Sequence, residues 1–463
     1  MTRGPGDASA TPNACLRPGA SLTVGAEGVV IELDPGQLRL GALDPVLVGA
    51  FERLSGGTSA AGDITDSILD TAGPVGLATW VGLLGRLAAA KCLEYRVSDG
   101  DRRVATGRPG PGYRPMASLP SQRLSLSRFA YLRPSETGMV LDSPLSTGPI
   151  EIRDPRAGII VSSLATPAYP AELASSDRGC RWAVPLLHLL TDMGFALETD
   201  AEGATAETRS EVLGRWEFHD LALHGRVFRG RPDLPVGDTG RRGVARVPAM
   251  KPPMSGSWVD LPHPAADQGS GTLYETIDER RSLRAHGAPP ITIAQLGEFL
   301  YTVARAREET DEPGIRRRVY PGGGARHPLE IYPLVGACEG LDPGVYRYDP
   351  ARHRLDVLSD RGGLAKDVLR AAAAGMEDGR PPQVWLVITA RIGRLSEKYE
   401  GIAYLLAHQE VGVLYEAMYL VATAMGLAPC AYGFVDGLGF ARAIGVDPLE
   451  ESAVGGFLLG SPA

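Results

Sequence analysis

Paired cysteines, long apolar runs and an excess of basic charge are all missing from this chain, and each absence removes a class of function. The five cysteines, Cys15, Cys92, Cys180, Cys338 and Cys430, lie far apart, form no CxxC pair and are odd in number. That spacing speaks against a zinc knuckle or a disulfide framework. No stretch of about 18 apolar residues is evident, and the first fifteen residues are polar and lack the apolar segment of a secretory signal. The expectation is a cytoplasmic, reduced protein with no membrane association and a disordered start over residues 1–20. Lys plus Arg number 47 against 55 Asp plus Glu, a net charge of -8, so no basic field is available for a phosphate polymer and nucleic acid is not expected as a partner. There is no GxxxxGK[ST] loop and no GxGxxG opening a helix after a strand, which removes support for ATP and for classical dinucleotide folds.

What is present is the composition of a globular protein, 44% hydrophobic and 22% charged, with 58 Gly and 37 Pro that indicate many turns and linkers. At 463 residues, two to four domains are expected. Residues 21–97 read as short strands at 22–24, 29–33 and 38–40. Three helical patterns follow, on Val46, Leu47, Ala50, Phe51 and Leu54, then Ile64, Ile68 and Leu69, then Trp80, Leu83, Leu84 and Leu87, with a closing strand at 93–97. The same order recurs with strands near 128–132, 139–141 and 150–152, helices from 155 and 181, and a strand at 195–198. Asp44-Pro45 and Asp154-Pro155 open corresponding helices, and Trp80 and Trp182 fall on corresponding third helices.

This order resembles two tandem winged-helix units, expected over residues 21–112 and 113–224. Acidic residues exceed basic ones by about four over residues 1–215, so a peptide laid along a wing strand fits better than DNA. Residues 225–272 mix Pro, Gly and charge without periodicity and read as a linker. From 273 to 463 helices and strands alternate regularly, as in an α+β catalytic unit.

Four segments of that unit carry chemistry. Glu279-Arg-Arg-Ser-Leu-Arg284 gathers three arginines and a hydroxyl that would hold a dianionic phosphate by charge-assisted hydrogen bonds; a solvated basic patch is the plain alternative. Tyr320-Pro-Gly-Gly-Gly-Ala-Arg-His-Pro-Leu-Glu-Ile-Tyr332 lets backbone NH groups approach a flat ring or a phosphate before a buried strand, or is simply a glycine turn. Arg394-Leu-Ser-Glu-Lys-Tyr399 places Lys398 and Tyr399 side by side just ahead of the helical pattern 403–426. There they are either ordinary solvent-facing residues or, beside a flavin, a tunable proton donor and acceptor. Gly426-Leu-Ala-Pro-Cys-Ala-Tyr-Gly-Phe434 ends that helix and starts a strand, whose Gly433 NH could face a cofactor ring; by itself it is a C-cap and turn.

Taken in order, these segments resemble the nitroreductase fold and, within it, the SagB-type branch that dehydrogenates azoline rings in ribosomally made peptides. The resemblance covers residues 272–463 most specifically. It implies an FMN phosphate and ribityl role for Arg280, Arg281, Ser282 and Arg284, and a cofactor-facing backbone at Gly323 and Gly324, with Arg326 beside them. The glycine segment is similar to the branch's PSGGARHPLEIY, with Gly322 where Ser is usual. Lys398-Tyr399 is similar to the catalytic Lys-Tyr pair of azoline dehydrogenases, and Ala431-Tyr-Gly-Phe434 to the stretch whose glycine NH faces flavin N5, here Gly433 with Tyr432 alongside. Upstream, 124–133 and 216–226 are similar to segments that precede the catalytic domain in long actinobacterial members.

The resemblance implies oxidation of a thiazoline or oxazoline in a precursor peptide to the thiazole or oxazole. Tyr399 or Lys398 would remove the ring Cα proton while hydride passes from Cβ to the flavin, with oxygen as reoxidant. It also implies a homodimer with the flavin at the interface, winged-helix units that grip the peptide, and a cyclodehydratase as a possible partner. Leu405, Leu406, Val413, Leu414, Met418 and Leu420 would then be buried between subunits, or the helix is simply a core helix, and the two are compatible. Two other readings stay open: an NAD(P)H-dependent reductase of nitro compounds or quinones, and a flavin-less scaffold that recruits precursor peptide for a cyclodehydratase; a DNA-binding regulator with a ligand domain would need a basic recognition surface that the sequence lacks.

Overall fold

A computed structural model describes residues 10–25, 28–34, 36–115, 118–175, 181–228, 237–238, 246–264, 272–309, 315–358, 363–433 and 436–463. Residues 1–9, Cys180, Phe434 and part of the 225–272 stretch of the sequence features above lie outside them. The chain divides into two compact units, residues 1–234 and 235–463.

The first unit runs β1 (Asn13–Leu16), β2 (Ser21–Gly25), β3 (Gly28–Glu32), β4 (Gln37–Gly41), α1 (Pro45–Gly56), α2 (Ala61–Ala89), β5 (Leu93–Asp99) and β6 (Arg102–Gly107). It continues with β7 (Leu124–Leu126), β8 (Tyr131–Ser135), β9 (Gly138–Asp142), β10 (Ile150–Ile152), α3 (Pro155–Ser163), α4 (Pro170–Ser175), α5 (Ala183–Asp192), β11 (Ala196–Glu198), α6 (Ala206–Arg209) and α7 (Phe218–Phe228). The Asp-Pro pairs start helices for a physical reason. Asp44 accepts from the Val46 N–H and Asp154 from the Arg156 N–H, while the following proline supplies the first helical φ without needing a partner for a backbone N–H.

Each half repeats one order: a lone strand, three more strands, helices, and a closing strand that pairs antiparallel with the lone one, β1 with β5 and β7 with β11. In the first half α2 is broken at Gly73, whose left-handed φ and following Pro74 split it into two arms that match α4 and α5. Trp80 and Trp182 are both buried. The two halves share strands. The β5–β6 hairpin continues through β10 into the second half's hairpin to make a sheet ordered β1-β5-β6-β10-β9-β8, leaving β2-β3-β4 as a sheet of its own.

One expectation is corrected here. Asn13–Leu16 is not disordered, because its apolar Ala14, Cys15 and Leu16 fill a core and its backbone pairs with β5. Among the described residues one helix, α2, is long and apolar enough to cross a membrane by length and composition. Glycine and proline within it hid that length from a count of consecutive apolar residues, and Ile64, Ile68, Trp80, Leu83, Leu84 and Leu87 turn inward from its two arms.

The second unit runs β12 (Gly237–Asp238), β13 (Trp258–Asp260), α8 (Leu273–Glu279), α9 (Ile293–Ala304), β14 (Ala306–Glu309), β15 (Arg316–Arg318), β16 (Leu329–Val335), β17 (Gly344–Asp349), β18 (Arg354–Leu358) and α10 (Leu364–Ala372). After these come β19 (Val384–Arg391), α11 (Gly393–Ser396), β20 (Tyr399–Glu400), α12 (Ala403–Ala424), β21 (Ala428–Ala431), α13 (Gly437–Ile444) and β22 (Glu451–Gly460). Seven strands form one sheet in the order β13-β18-β17-β16-β19-β22-β21. Its central strands β16 and β19 are apolar on both faces because both are covered, α9 and α12 packing on one side with Leu296, Phe299, Leu300, Leu414 and Met418. A capping box, Thr292 with Gln295, starts α9.

Part of the stretch read as a linker is instead built into this unit. Three buried arginines hold backbone carbonyls of the incoming chain: Arg394 donates to Val247 (2.8 Å), Arg391 to Pro248 (2.9 Å) and Ala249 (3.1 Å), and Arg347 to Lys251 (3.1 Å) and Pro252 (3.0 Å). Lys251 pairs with Glu451 inside the unit, and Trp258–Asp260 adds a strand to the sheet edge. Carbonyls clamped by charged donors leave no periodicity in the sequence, so composition alone misreads the segment. Of the six α12 side chains expected between subunits, Leu414 and Met418 are instead fully buried in this chain's own core.

His286 links the last strand's exit to β19. Its Nδ1 accepts from the Gln383 N–H at 3.1 Å, and burial lowers its pKa to about 4 from an ordinary 6.5. The folded form therefore holds fewer protons than the unfolded chain between those values. The stabilisation is complete above pH 6.5 and is lost as pH falls towards 4. His286→Asn, which keeps an acceptor in place of Nδ1, is expected to remove on the order of 3 kcal/mol of that pH dependence, read from urea denaturation midpoints across the window.

Candidate functional site

The antiparallel pairing of β16 with β19 sets the geometry. Leu329 pairs with Ala390 and Val335 with Val384, so the segment before β16 and the segment after β19 leave the sheet at the same end. The ladder continues outward, with Arg391 N–H donating to Pro328 O (3.0 Å) and Arg394 Nε to Arg326 O (3.0 Å). Gly322–Gly324 and Lys398–Tyr399 meet there.

Gly324 has φ +55, and a β-carbon on it would lie 2.5 Å from the Tyr399 hydroxyl and 3.1 Å from Lys398 Nζ. The missing side chain is thus the space that these two groups occupy. Lys398 Nζ also lies 5.5 Å from the Tyr399 ring centroid, and both residues are half-buried. Arg326 faces Glu397 at 3.7 Å, and Glu397 is shared with Arg394 at 3.4 Å. Burial pushes the Arg394 pKa down to about 10 against the pull of Glu397, marking a desolvated corner directly before Lys398. Backbone pairing of Asp238 with Tyr399 holds the other side of the pair.

A second cluster forms around Tyr419 of α12. Its hydroxyl is 2.7 Å from Ser282 Oγ and accepts from the Ala431 N–H at 2.8 Å, while Arg280 lies over its ring at 5.4 Å. Leu283 N–H donates to Pro429 O (2.8 Å) and Glu377 N–H to Arg284 O (2.9 Å), docking the 280–284 loop beside β21. Arg281 lines an open cleft with Glu279, Leu283, Thr423, Leu427 and Pro429. Among the described residues Arg280, Arg281 and Arg284 have no carboxylate ion pair, and Ser282 of the same loop adds a hydroxyl. That donor set fits a phosphate dianion. Gly433 is exposed, and a β-carbon there would meet nothing within 4 Å. Tyr432, beside it, packs edge-on against Trp385 at 5.5 Å.

The structure therefore gathers the expected residues into two groups along α12 rather than one. Tyr419 marks one group and Glu410, beneath Gly322, the other. Nine helical positions separate them by about 14 Å. Tyr419 and Glu410 escaped the sequence reading, and His327 and Arg394 fall within two of its segments but were given no role there. No local motif marks Tyr419 or Glu410, because their partners Ser282 and His327 lie far away along the chain. Gly324→Ala is expected to displace the Tyr399 hydroxyl and destabilise the turn by roughly 1–3 kcal/mol, measured as a lowered denaturation midpoint. Tyr419→Phe leaves Ser282 and the Ala431 N–H without that partner and is expected to cost about 1–2 kcal/mol in the same assay.

The family described as the nitroreductase family matches residues 277–461, and that described as cyanobactin oxidase ThcOx matches residues 124–233. A protein of Methanocaldococcus jannaschii named as a nitroreductase is 33% identical over 161 residues, covering 35% of this chain and 78% of that protein. The trifolitoxin-processing protein TfxB of Rhizobium leguminosarum bv. trifolii is 30% identical over 146 residues, 31% of this chain and 39% of that protein. A crystal structure from Ralstonia eutropha, described as a nitroreductase, superposes with a TM-score of 0.37 at 23% identity, covering 50% of this chain and 99% of that one.

Proposed function

We propose that this chain, which belongs to the nitroreductase family, is an FMN-dependent dehydrogenase of azoline rings in a ribosomally made precursor peptide. The observation that carries the reading is the packing of Lys398 and Tyr399 into the space left by Gly324. A cation and a phenol held together beside a glycine turn can take a proton from a substrate carbon and steady the charge that develops. Likeness to a toxin-processing protein and to a cyanobactin oxidase family supports a peptide as substrate.

Arg280, Arg281, Ser282 and Arg284 would hold the phosphate of FMN, and Gly323, Gly324 and Gly433 would present backbone to its ring. When bound, FMN supplies the two-electron acceptor that no side chain here can provide. Tyr399 or Lys398 removes the proton on the azoline Cα, and the neighbouring Arg394–Glu397 corner keeps water from the pair. Exposed Leu273, Tyr274 and Ile277 on α8, next to Arg280, form an apolar strip of the kind a second copy would cover, which supports a homodimer. The repeated strand-and-helix halves of the first unit would act as winged-helix-like modules that grip the peptide, with a cyclodehydratase as a further partner.

The test is direct. Purified protein should show flavin absorbance near about 370 and 450 nm with the mass of FMN on release, and azoline peptides should lose 2 Da for each ring. Lys398→Ala should abolish azole formation while FMN stays bound. Colourless protein that takes up no FMN would sink the reading, and turnover of NAD(P)H with nitroaromatics, indifferent to Lys398, would favour a small-molecule reductase.

A further inference from the structure

Beneath the glycine turn lies a carboxylate for which the described residues supply no well-formed hydrogen bond. Glu410 projects from α12, is 3% exposed, and among the described residues neither carboxylate oxygen has a hydrogen-bond partner. His327 Nδ1, a group able to donate, lies 3.4 Å from Oε1. His327 Nε2 accepts from the Arg318 N–H at 3.3 Å, so in this arrangement the ring proton belongs on Nδ1, facing the carboxylate.

The turn above needs such support. Gly324, Ala325 and His327 have φ of +55, +54 and +42, and two of them carry a β-carbon in a region that side chains disfavour. On the opposite side of the carboxylate is Gly322, where a β-carbon would come within 2.6 to 2.8 Å of both oxygens and the carboxyl carbon. Glycine here leaves the carboxylate its space, which any side chain would invade, and His327 faces it from its own side of the turn.

We propose that Glu410 and His327 are a positioning pair: they lock the Gly322–His327 turn and so set the place of Gly324, against which the Tyr399 hydroxyl and Lys398 ammonium rest. The inference rests on the dehydrogenase reading for its consequence in catalysis, but its structural part can be tested alone.

The experiment compares full-length Glu410→Leu and Glu410→Gln with the parent protein, by amide hydrogen exchange and by turnover of a thiazoline peptide. Glu410→Leu is expected to speed exchange about tenfold over residues 319–328 and 395–401, with β19 unchanged. It should lower kcat about tenfold while KM stays within about twofold. Glu410→Gln keeps an acceptor for His327 and is expected to stay within about threefold of the parent in both readouts. FMN content should not change in either variant. Exchange and kcat in Glu410→Leu equal to the parent would overturn the proposal, as would acceleration spread evenly into β19. If Glu410→Leu does not fold, His327→Leu reads the same turn, and unaltered exchange there also overturns it. A parent protein that leaves thiazoline peptide untouched defeats the dehydrogenase reading, and exchange over the turn then decides the positioning pair on its own.

Discussion

Seven consecutive residue pairs between β16 and β19 are the constraint on which the site depends. Antiparallel pairing puts the beginning of one strand beside the end of the other, and both strands are buried on both faces, so the register is held by the whole apolar core as well as by the ladder. A slip of one residue would exchange the two faces of each strand and move the glycine turn away from Lys398 and Tyr399. Beyond the strands, the Arg391–Pro328 and Arg394–Arg326 hydrogen bonds extend the same alignment to the residues that carry chemistry.

Helix α12 serves as the second reference line. It is buried through Ala407, Val411, Leu414, Met418 and Ala422, and from that fixed axis it offers Glu410 to the glycine turn and Tyr419 to the arginine loop. One rigid element thus holds both ends of the candidate site at a set spacing. A cation-rich end and a proton-handling end, kept apart on one scaffold, are what a mononucleotide cofactor with a distant reactive ring would need. The buried arginines Arg347, Arg391 and Arg394 add a third constraint. They hold the carbonyls of the chain entering the unit, and a buried guanidinium is tolerated only where such acceptors and carboxylates meet it.

Legibility differed by the range of the interactions involved. The strands at 21–25, 28–32 and 37–41, the Asp-Pro helix starts and the repeat of element order could be read from the sequence, because period, cap and turn chemistry act within a few residues. So could the four chemical segments, each a short run with its own character. Asn13–Leu16 and the 247–260 stretch were misread. Their order comes from distant partners, β5 for the first and the buried arginines and β18 for the second. The kinked α2 was underestimated because Gly73 and Pro74 interrupt its apolar pattern without ending its burial.

By itself, then, the sequence determined the α+β character of the second unit, the residue types available for a phosphate and for proton transfer, and the resemblance that joins them. Tertiary structure alone decided that Gly324 makes room for Tyr399 and Lys398, that Tyr419 ties Ser282 to β21, and that Glu410 lies under the turn. The reason is physical. A motif's composition is local, but the contact between two motifs is set by strand register and helix packing, which the whole core fixes at once.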